Sequence, residues 1–214
     1  MLAAVLKGDA KELAELMRQD PGFNVNMTLE GSMRTLLQYA CQVDGRSAVI
    51  PLLLAHPDIN VNLEDDAGNT PFMLACYNGN ISCVREMLKD SRFKVNEPTN
   101  LGRTPLWWAA RWGYLDVIKW WIASGREMDL GKAEDFKKDA IGAAKRKGKS
   151  EVAILLERFK SDANQTRHVI RVELGFLDDL AAEMFAMVVF VSDGLLQIND
   201  TTPSPAAKFL SIAA

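Results

Sequence analysis

Ala143-Ala144-Lys145-Arg146-Lys147-Gly148-Lys149-Ser150 is the run in this chain that comes nearest to a chemical motif. With alanine in place of the first glycine it meets a loose form of the phosphate-binding loop. In such a loop backbone N–H groups wrap phosphates, a lysine reaches the outer phosphate and a hydroxyl meets magnesium. The chemistry requires the loop to follow a buried strand. Residues 134–141 are instead charged and helical in character, the run holds one glycine beside three consecutive bases, and no apolar strand ending in a magnesium-binding aspartate is evident. Nucleotide binding at 143–150 is therefore a remote alternative, behind a solvated basic face and behind a nuclear import or anion-contacting patch.

The remaining reactive side chains are sparse. His56 and His168 are the only histidines, and the chain has no Gly-x-Ser-x-Gly elbow, no His/Cys cluster with metal-ligand spacing and no Gly-x-Gly-x-x-Gly turn. Cys41, Cys76 and Cys83 form an odd set with no such spacing. Cys41 and Cys76 fall at equivalent places in successive segments, where a small buried side chain is wanted, and read as packed free thiols. No enzyme activity, cofactor or metal is expected, which leaves binding.

Recognition chemistry is better represented. The Tyr, Trp and Arg side chains of this chain are of the types that dominate binding energetics, because they combine large rigid area with a polar or charged tip. Something must hold them. Thr104 is a helix N-cap, Pro105 sits at the first helical position and Gly113 closes a helix of barely two turns. So short a helix is marginal alone and must lean on neighbours built alike. Thr70-Pro71-Phe72-Met73-Leu74-Ala75-Cys76-Tyr77-Asn78-Gly79 repeats the pattern, as does Thr35-Leu36-Leu37-Gln38-Tyr39-Ala40-Cys41. A second marker, Val25-Asn26, Val61-Asn62 and Val95-Asn96, keeps the same step of 34 to 36 residues. A repeat of that length implies an all-α solenoid of stacked helix pairs.

At these residues the chain resembles the ankyrin repeat family, whose unit runs Asp-x-x-Gly-x-Thr-Pro-Leu, a short inner helix ending in Ala-Ala-x-x-Gly, a longer outer helix and a closing Val-Asn. The likeness is carried by Asp65, Gly68, Thr70, Pro71, Leu74, Ala75, Gly79, Val84, Leu88, Val95 and Asn96. It continues through Gly102, Thr104, Pro105, Leu106, Ala109, Ala110, Gly113, Val117 and Ile122. About five units are expected over 1–160, at 1–26, 27–62, 63–96, 97–129 and 130–160, the first and last atypical. The first starts late, with Gly8 closing its inner helix and no preceding threonine. The second carries Met33 where the family has glycine, an extra residue at Asp44-Gly45, and an outer helix expected over 48–55. The fifth places Asp139 at the threonine position.

All five tryptophans lie in the fourth unit. By the family pattern Trp108 takes the place of a buried leucine and Trp107 that of a half-buried histidine, while Trp120 and Trp121 replace outer-helix leucines. Trp108, Trp120 and Trp121 are thus expected as core, and Trp112 on the concave groove. The resemblance further implies a partner-binding row of Asp66, Asn69, Tyr77, Asn78, Leu101, Arg103, Arg111, Trp112, Arg146 and Lys147, centred on Tyr77, Arg111 and Trp112.

A formal charge of −3 and the absence of any apolar run near the roughly 20 residues that cross a bilayer argue for neither nucleic acid nor a membrane as partner. Thiols without a disulfide framework favour the cytoplasm, or the nucleus. Ser161 to Thr166 reads as a polar link. Beyond it, 161–214 is expected to be a helical extension capping the last repeat, with helices over 177–191 and 206–212. The function expected is a protein-interaction scaffold. The alternative is a regulatory or structural module of a longer protein, self-associating through 177–214.

Overall fold

The computed structural model describes residues 1–29, 33–132 and 134–176. Within them the chain is a row of helix pairs. The inner helices are α1 (Leu2–Lys7), α3 (Leu36–Gln42), α5 (Pro71–Asn78), α7 (Pro105–Trp112) and α9 (Ala140–Arg146); each is followed by an outer helix, α2 (Ala10–Gln19), α4 (Ile50–Leu54), α6 (Ile81–Leu88), α8 (Leu115–Ser124) and α10 (Ser150–Ser161). Each inner helix packs on the next inner helix and each outer helix on the next outer one, so the expected all-α solenoid is the architecture. An antiparallel pair of two-residue strands, β1 (Thr28–Leu29) and β2 (Arg34–Thr35), marks the turn of the second unit, and there Met33 adopts a left-handed φ of 49°.

The short inner helices persist because their ends are pinned. The side chains of Thr35, Thr70, Thr104 and Asp139 accept hydrogen bonds from the backbone N–H three residues on, at 3.3, 3.2, 3.2 and 2.7 Å. Gln38 completes a capping box on Thr35, its Oε1 accepting from the Thr35 N–H at 2.7 Å. Between the two rows lies an apolar core that includes Leu36, Leu37, Phe72, Met73, Leu106, Val117, Ile118 and Trp121, all buried. Phe72 meets Trp121 edge-to-face at 5.0 Å.

The repeated Val-Asn marker has a physical meaning. Val25, Val61 and Val95 are buried, and the adjoining asparagine reaches into the next unit as a two-pronged staple. Asn26 donates to the Asp58 carbonyl at 2.7 Å and accepts from the Asn60 N–H at 2.8 Å. Asn62 does the same with Arg92 and Lys94 at 2.8 and 2.9 Å, and Asn96 with Glu127 and Asp129 at 3.3 and 3.0 Å.

Two expectations need correction. The second outer helix does not run over 48–55: a 3₁₀ turn, Ser47–Val49, precedes α4, because Pro51 lacks the N–H a longer α-helix would need and is tolerated only in a first turn. Nor is 161–166 a link. Asp162 alone separates α10 from α11 (Ala163–Glu173), its Oδ1 accepting from Gln165 N–H at 2.9 Å as an N-cap does. Thr166 is buried, and Arg167 Nε donates to the Ile122 carbonyl at the end of α8 at 3.3 Å. By compactness the chain divides into units at 1–168 and 169–214. The helices expected over 177–191 and 206–212 lie outside the described residues.

Candidate partner-binding site

On α7 the residues Leu106, Ala109 and Ala110 are fully buried and point to the core, with Trp107 beside them at 3% exposure. Trp108 and Trp112 stand four residues apart and so share the other side of the helix. There Trp112 is 42% exposed and Tyr77, on α5, 40% exposed. The rings form one cluster. Tyr77 meets Trp108 edge-on at 4.8 Å and Trp112 edge-on at 6.2 Å, and Trp107 meets Trp108 edge-on at 4.8 Å.

Arginine covers this cluster on two sides. The Arg103 guanidinium lies 4.6 Å from the Trp107 ring centre and 5.0 Å from that of Trp108, while Arg111 lies 5.2 Å from Trp107 and 5.7 Å from Trp112. Such contacts fix a guanidinium's orientation and hold the charge against low-dielectric surface. Four of the residues picked from the sequence, Tyr77, Arg103, Arg111 and Trp112, are therefore brought together through ring contacts.

Trp108, expected in the core, is instead half-exposed and joins the cluster, whereas Trp107 is buried. Trp107 faces the fifth unit, where its indole Nε1 donates to the Phe136 carbonyl at 2.9 Å. The spacing of Trp108 and Trp112 carried the signal. Trp121 is core as expected, but Trp120 is half-buried with the Arg85 guanidinium 4.0 Å from its ring centre, on the outer row.

The other expected contact residues differ in availability. Leu101 and Asp66 are exposed at the turn tips, which are themselves stacked, Asn100 donating from Nδ2 to the Asp66 carbonyl at 3.1 Å. Asn78 is exposed at the end of α5 and donates to the Leu74 carbonyl at 2.8 Å. Asn69 is committed internally. Its side-chain amide donates to both oxygens of Asp65, at 2.9 and 3.0 Å, and its backbone carbonyl accepts from Gln38 Nε2 at 2.7 Å. Asp65 also takes the backbone N–H groups of Ala67 and Asn69 and the Nε of Arg34, at 3.0, 2.9 and 3.0 Å. Burial alone would raise its pKa, but these donors, Asn69 foremost and Arg34 with them, outweigh burial and hold the carboxyl below its usual value. Arg146 pairs with Asp139 at 3.5 Å and Lys147 is exposed.

The phosphate-loop reading fails on geometry. Residues 143–146 are helix, not loop, and the N–H groups that would have to face phosphate are already donated, Ala143 to Asp139, Lys147 and Lys149 to Ala144, and Gly148 to Lys145. A cleft of about 560 Å³ does lie nearby, lined by Leu130, Gly131, Asp139, Lys145, Glu157 and Lys160 among others. Lys145 and Glu157 there pair with each other at 2.6 Å. Among the described residues no helix is long and apolar enough to cross a membrane.

Compared with known proteins, the chain matches the family model of ankyrin repeats in three copies over residues 1–90 and 37–132. It is 36% identical to the SMC5-SMC6 complex localization factor protein 1 of Homo sapiens over 92 residues, 42% of this chain and 8% of that protein. The Bos taurus protein of the same name gives the same identity and coverage. An ankyrin repeat-containing protein of Schizosaccharomyces pombe is 30% identical over 107 residues, 49% of this chain and 44% of that one. The chain thus spans less than half the length of each of these relatives.

Proposed function

The chain belongs to the ankyrin repeat family, and from that premise we propose that it is a protein-interaction scaffold, gripping a partner polypeptide on the face formed by its inner helices and turn tips. One observation carries the reading. Tyr77, Trp108 and Trp112 form a contiguous aromatic surface under two arginines, on rigid elements that lie side by side. Exposed apolar surface of this kind on a folded chain marks interaction sites, and Tyr, Trp and Arg are the residues on which binding energy concentrates. Leu101, Asp66 and Asn78 form its rim, with Arg146 and Lys147 extending the row, while Asn69 acts by shaping the turn between them. The human relative is named for localising another complex, a task that a gripping surface serves. Free buried thiols suit a reducing compartment, the cytoplasm or the nucleus.

The test is a pull-down with the wild-type chain beside a variant carrying alanine at Tyr77, Arg111 and Trp112. Proteins retained by the first and lost by the second, with the variant's helical circular dichroism unchanged, support the reading. Identical retention by both would move the site elsewhere.

A further inference from the structure

Arg34 and Arg103 hold the same place in the second and fourth units, each one residue ahead of the threonine that caps its inner helix. Arg34 has a carboxylate: its Nε lies 3.0 Å from Asp65 Oδ2 of the following unit. Arg103 has none. Among the described residues no carboxylate pairs with it, its Nε is buried without an acceptor, and its guanidinium rests on the Trp107 and Trp108 rings. The Asp65 position of the next unit, the fifth, falls at Glu134, which is exposed and makes no ion pair with Arg103 among the described residues, and in Arg103's own turn the buried hydroxyl of Thr99 also lacks a partner. The ion pair that the repeat builds once is left half-made beside the aromatic cluster.

More positive charge gathers at this place. Arg111 sits over Trp107 and Trp112 without an ion pair among the described residues. The Lys137 stem lies beside Gly102, where a Cβ would come 3.4 Å from its Cδ, and the Lys149 stem lies across Gly113, where a Cβ would come 2.7 Å from its Cδ. Among the described residues neither lysine is paired with a carboxylate. The aromatic surface is thus framed by cations at the turn tip and at the helix end.

We propose that the partner presents an acidic segment containing a bulky apolar or aromatic residue. That residue lies on Tyr77 and Trp112, and the flanking carboxylates take the guanidiniums of Arg103 and Arg111, with Lys137 and Lys149 steering from the rim. The proposal rests on the reading of this face as the binding site and adds the chemistry of the occupant. The physical reason is complementarity. A guanidinium already oriented by stacking loses little freedom when it forms a bidentate carboxylate pair, and its charge is already partly desolvated. Unpaired cations also raise the encounter rate with a negative segment. Rings and arginines could also serve a nucleic acid. That affinity, however, grows with many phosphate contacts along a basic surface, and this chain carries a net charge of −3.

Panning a phage-displayed random peptide library against the whole chain tests this, followed by titration of the selected peptides with wild type and the variants Arg103→Gln, Arg111→Gln and Trp112→Ala, each checked by circular dichroism. The expected result is a selected set rich in Asp and Glu around an aromatic or large aliphatic residue. Each variant should weaken it by about tenfold or more, and the wild-type affinity should fall with salt. Selected peptides that are neutral or basic yet lost on Trp112→Ala would overturn the acidic partner and leave the binding face standing. Peptides indifferent to Trp112→Ala would overturn the face itself. A single-stranded oligothymidine that binds more tightly than any selected peptide would overturn the proposal in favour of nucleic acid.

Discussion

Trp108 and Trp112 stand one turn apart on α7 with their rings nearly parallel, 13° between planes and 6.4 Å between centres. Tyr77 closes on both from the neighbouring helix, so the three rings hold one another in place before any partner arrives. An aromatic surface fixed in advance costs little entropy on binding.

The first prediction follows from Trp112. It is the most exposed ring of the cluster at 42%, so Trp112→Ala should weaken a partner by about 2 kcal/mol or more while shifting the thermal midpoint little. Calorimetric titration beside a melting curve reads both. A variant that melts far below wild type would show that the indole is structural.

A second prediction concerns the staples. Asn62→Ala removes a hydrogen bond to the Arg92 carbonyl and another from the Lys94 N–H, both exposed enough for water to replace them in part. A loss of about 1–2 kcal/mol is expected in urea denaturation, with an unchanged slope. An unaltered midpoint would mean that shape alone, and not the asparagine, joins the units.

Much of the scaffold is legible in the sequence because its markers act locally. A threonine cap, a proline at the first helical position and a closing glycine each constrain residues within one turn, and their recurrence at Thr35, Thr70 and Thr104 displays the stack. The aromatic cluster is legible only in part. Trp107 and Trp108 exchange roles relative to the family pattern because the fifth unit offers the Phe136 carbonyl to an indole at position 107, a partner 29 residues away that periodicity does not reveal. Asp162 was hidden for another reason: a lone capping aspartate in a polar run looks like a linker until its third neighbour, Gln165, is seen to donate to it.

Acid should weaken the junction of the second and third units. The Asp65 carboxyl is held below its usual value in the folded chain, so its stabilisation is present above the unfolded value of about 3.9 and is lost as pH falls through the lower folded value. Asp90, held down by the Arg92 guanidinium, contributes in the same window. The urea midpoint should therefore fall steeply below about pH 4. Asp65→Asn should lower stability at neutral pH by about 1–3 kcal/mol, since buried N–H donors lose their charged acceptor, and should flatten the acid limb without abolishing it. An equally steep acid limb in the variant would assign the titration to other groups.

The last prediction concerns the thiols. Cys41, Cys76 and Cys83 are the only cysteines, and all three are buried. Burial raises the pKa of Cys76, and burial together with the neighbouring Cys83 thiol raises that of Cys41 well above the ordinary value. Cys41 Sγ donates to the Leu37 carbonyl at 2.9 Å and Cys83 Sγ to that of Ala40 at 3.6 Å. Attack on a thiol reagent needs access, which burial denies all three, and thiolate, which the raised pKa values further withhold at Cys41 and Cys76. A chromogenic disulfide reagent at neutral pH should therefore find no fast-reacting thiol in the native protein and three once it is unfolded in urea. Between those limits, the labelling rate at rising urea should follow the opening of the second and third units, where these residues lie. Fast labelling of the native chain at a rate independent of urea would show that this part of the stack breathes locally, and that the packing of α3 against α5 is weaker than the full burial of Leu36, Ala40 and Phe72 implies.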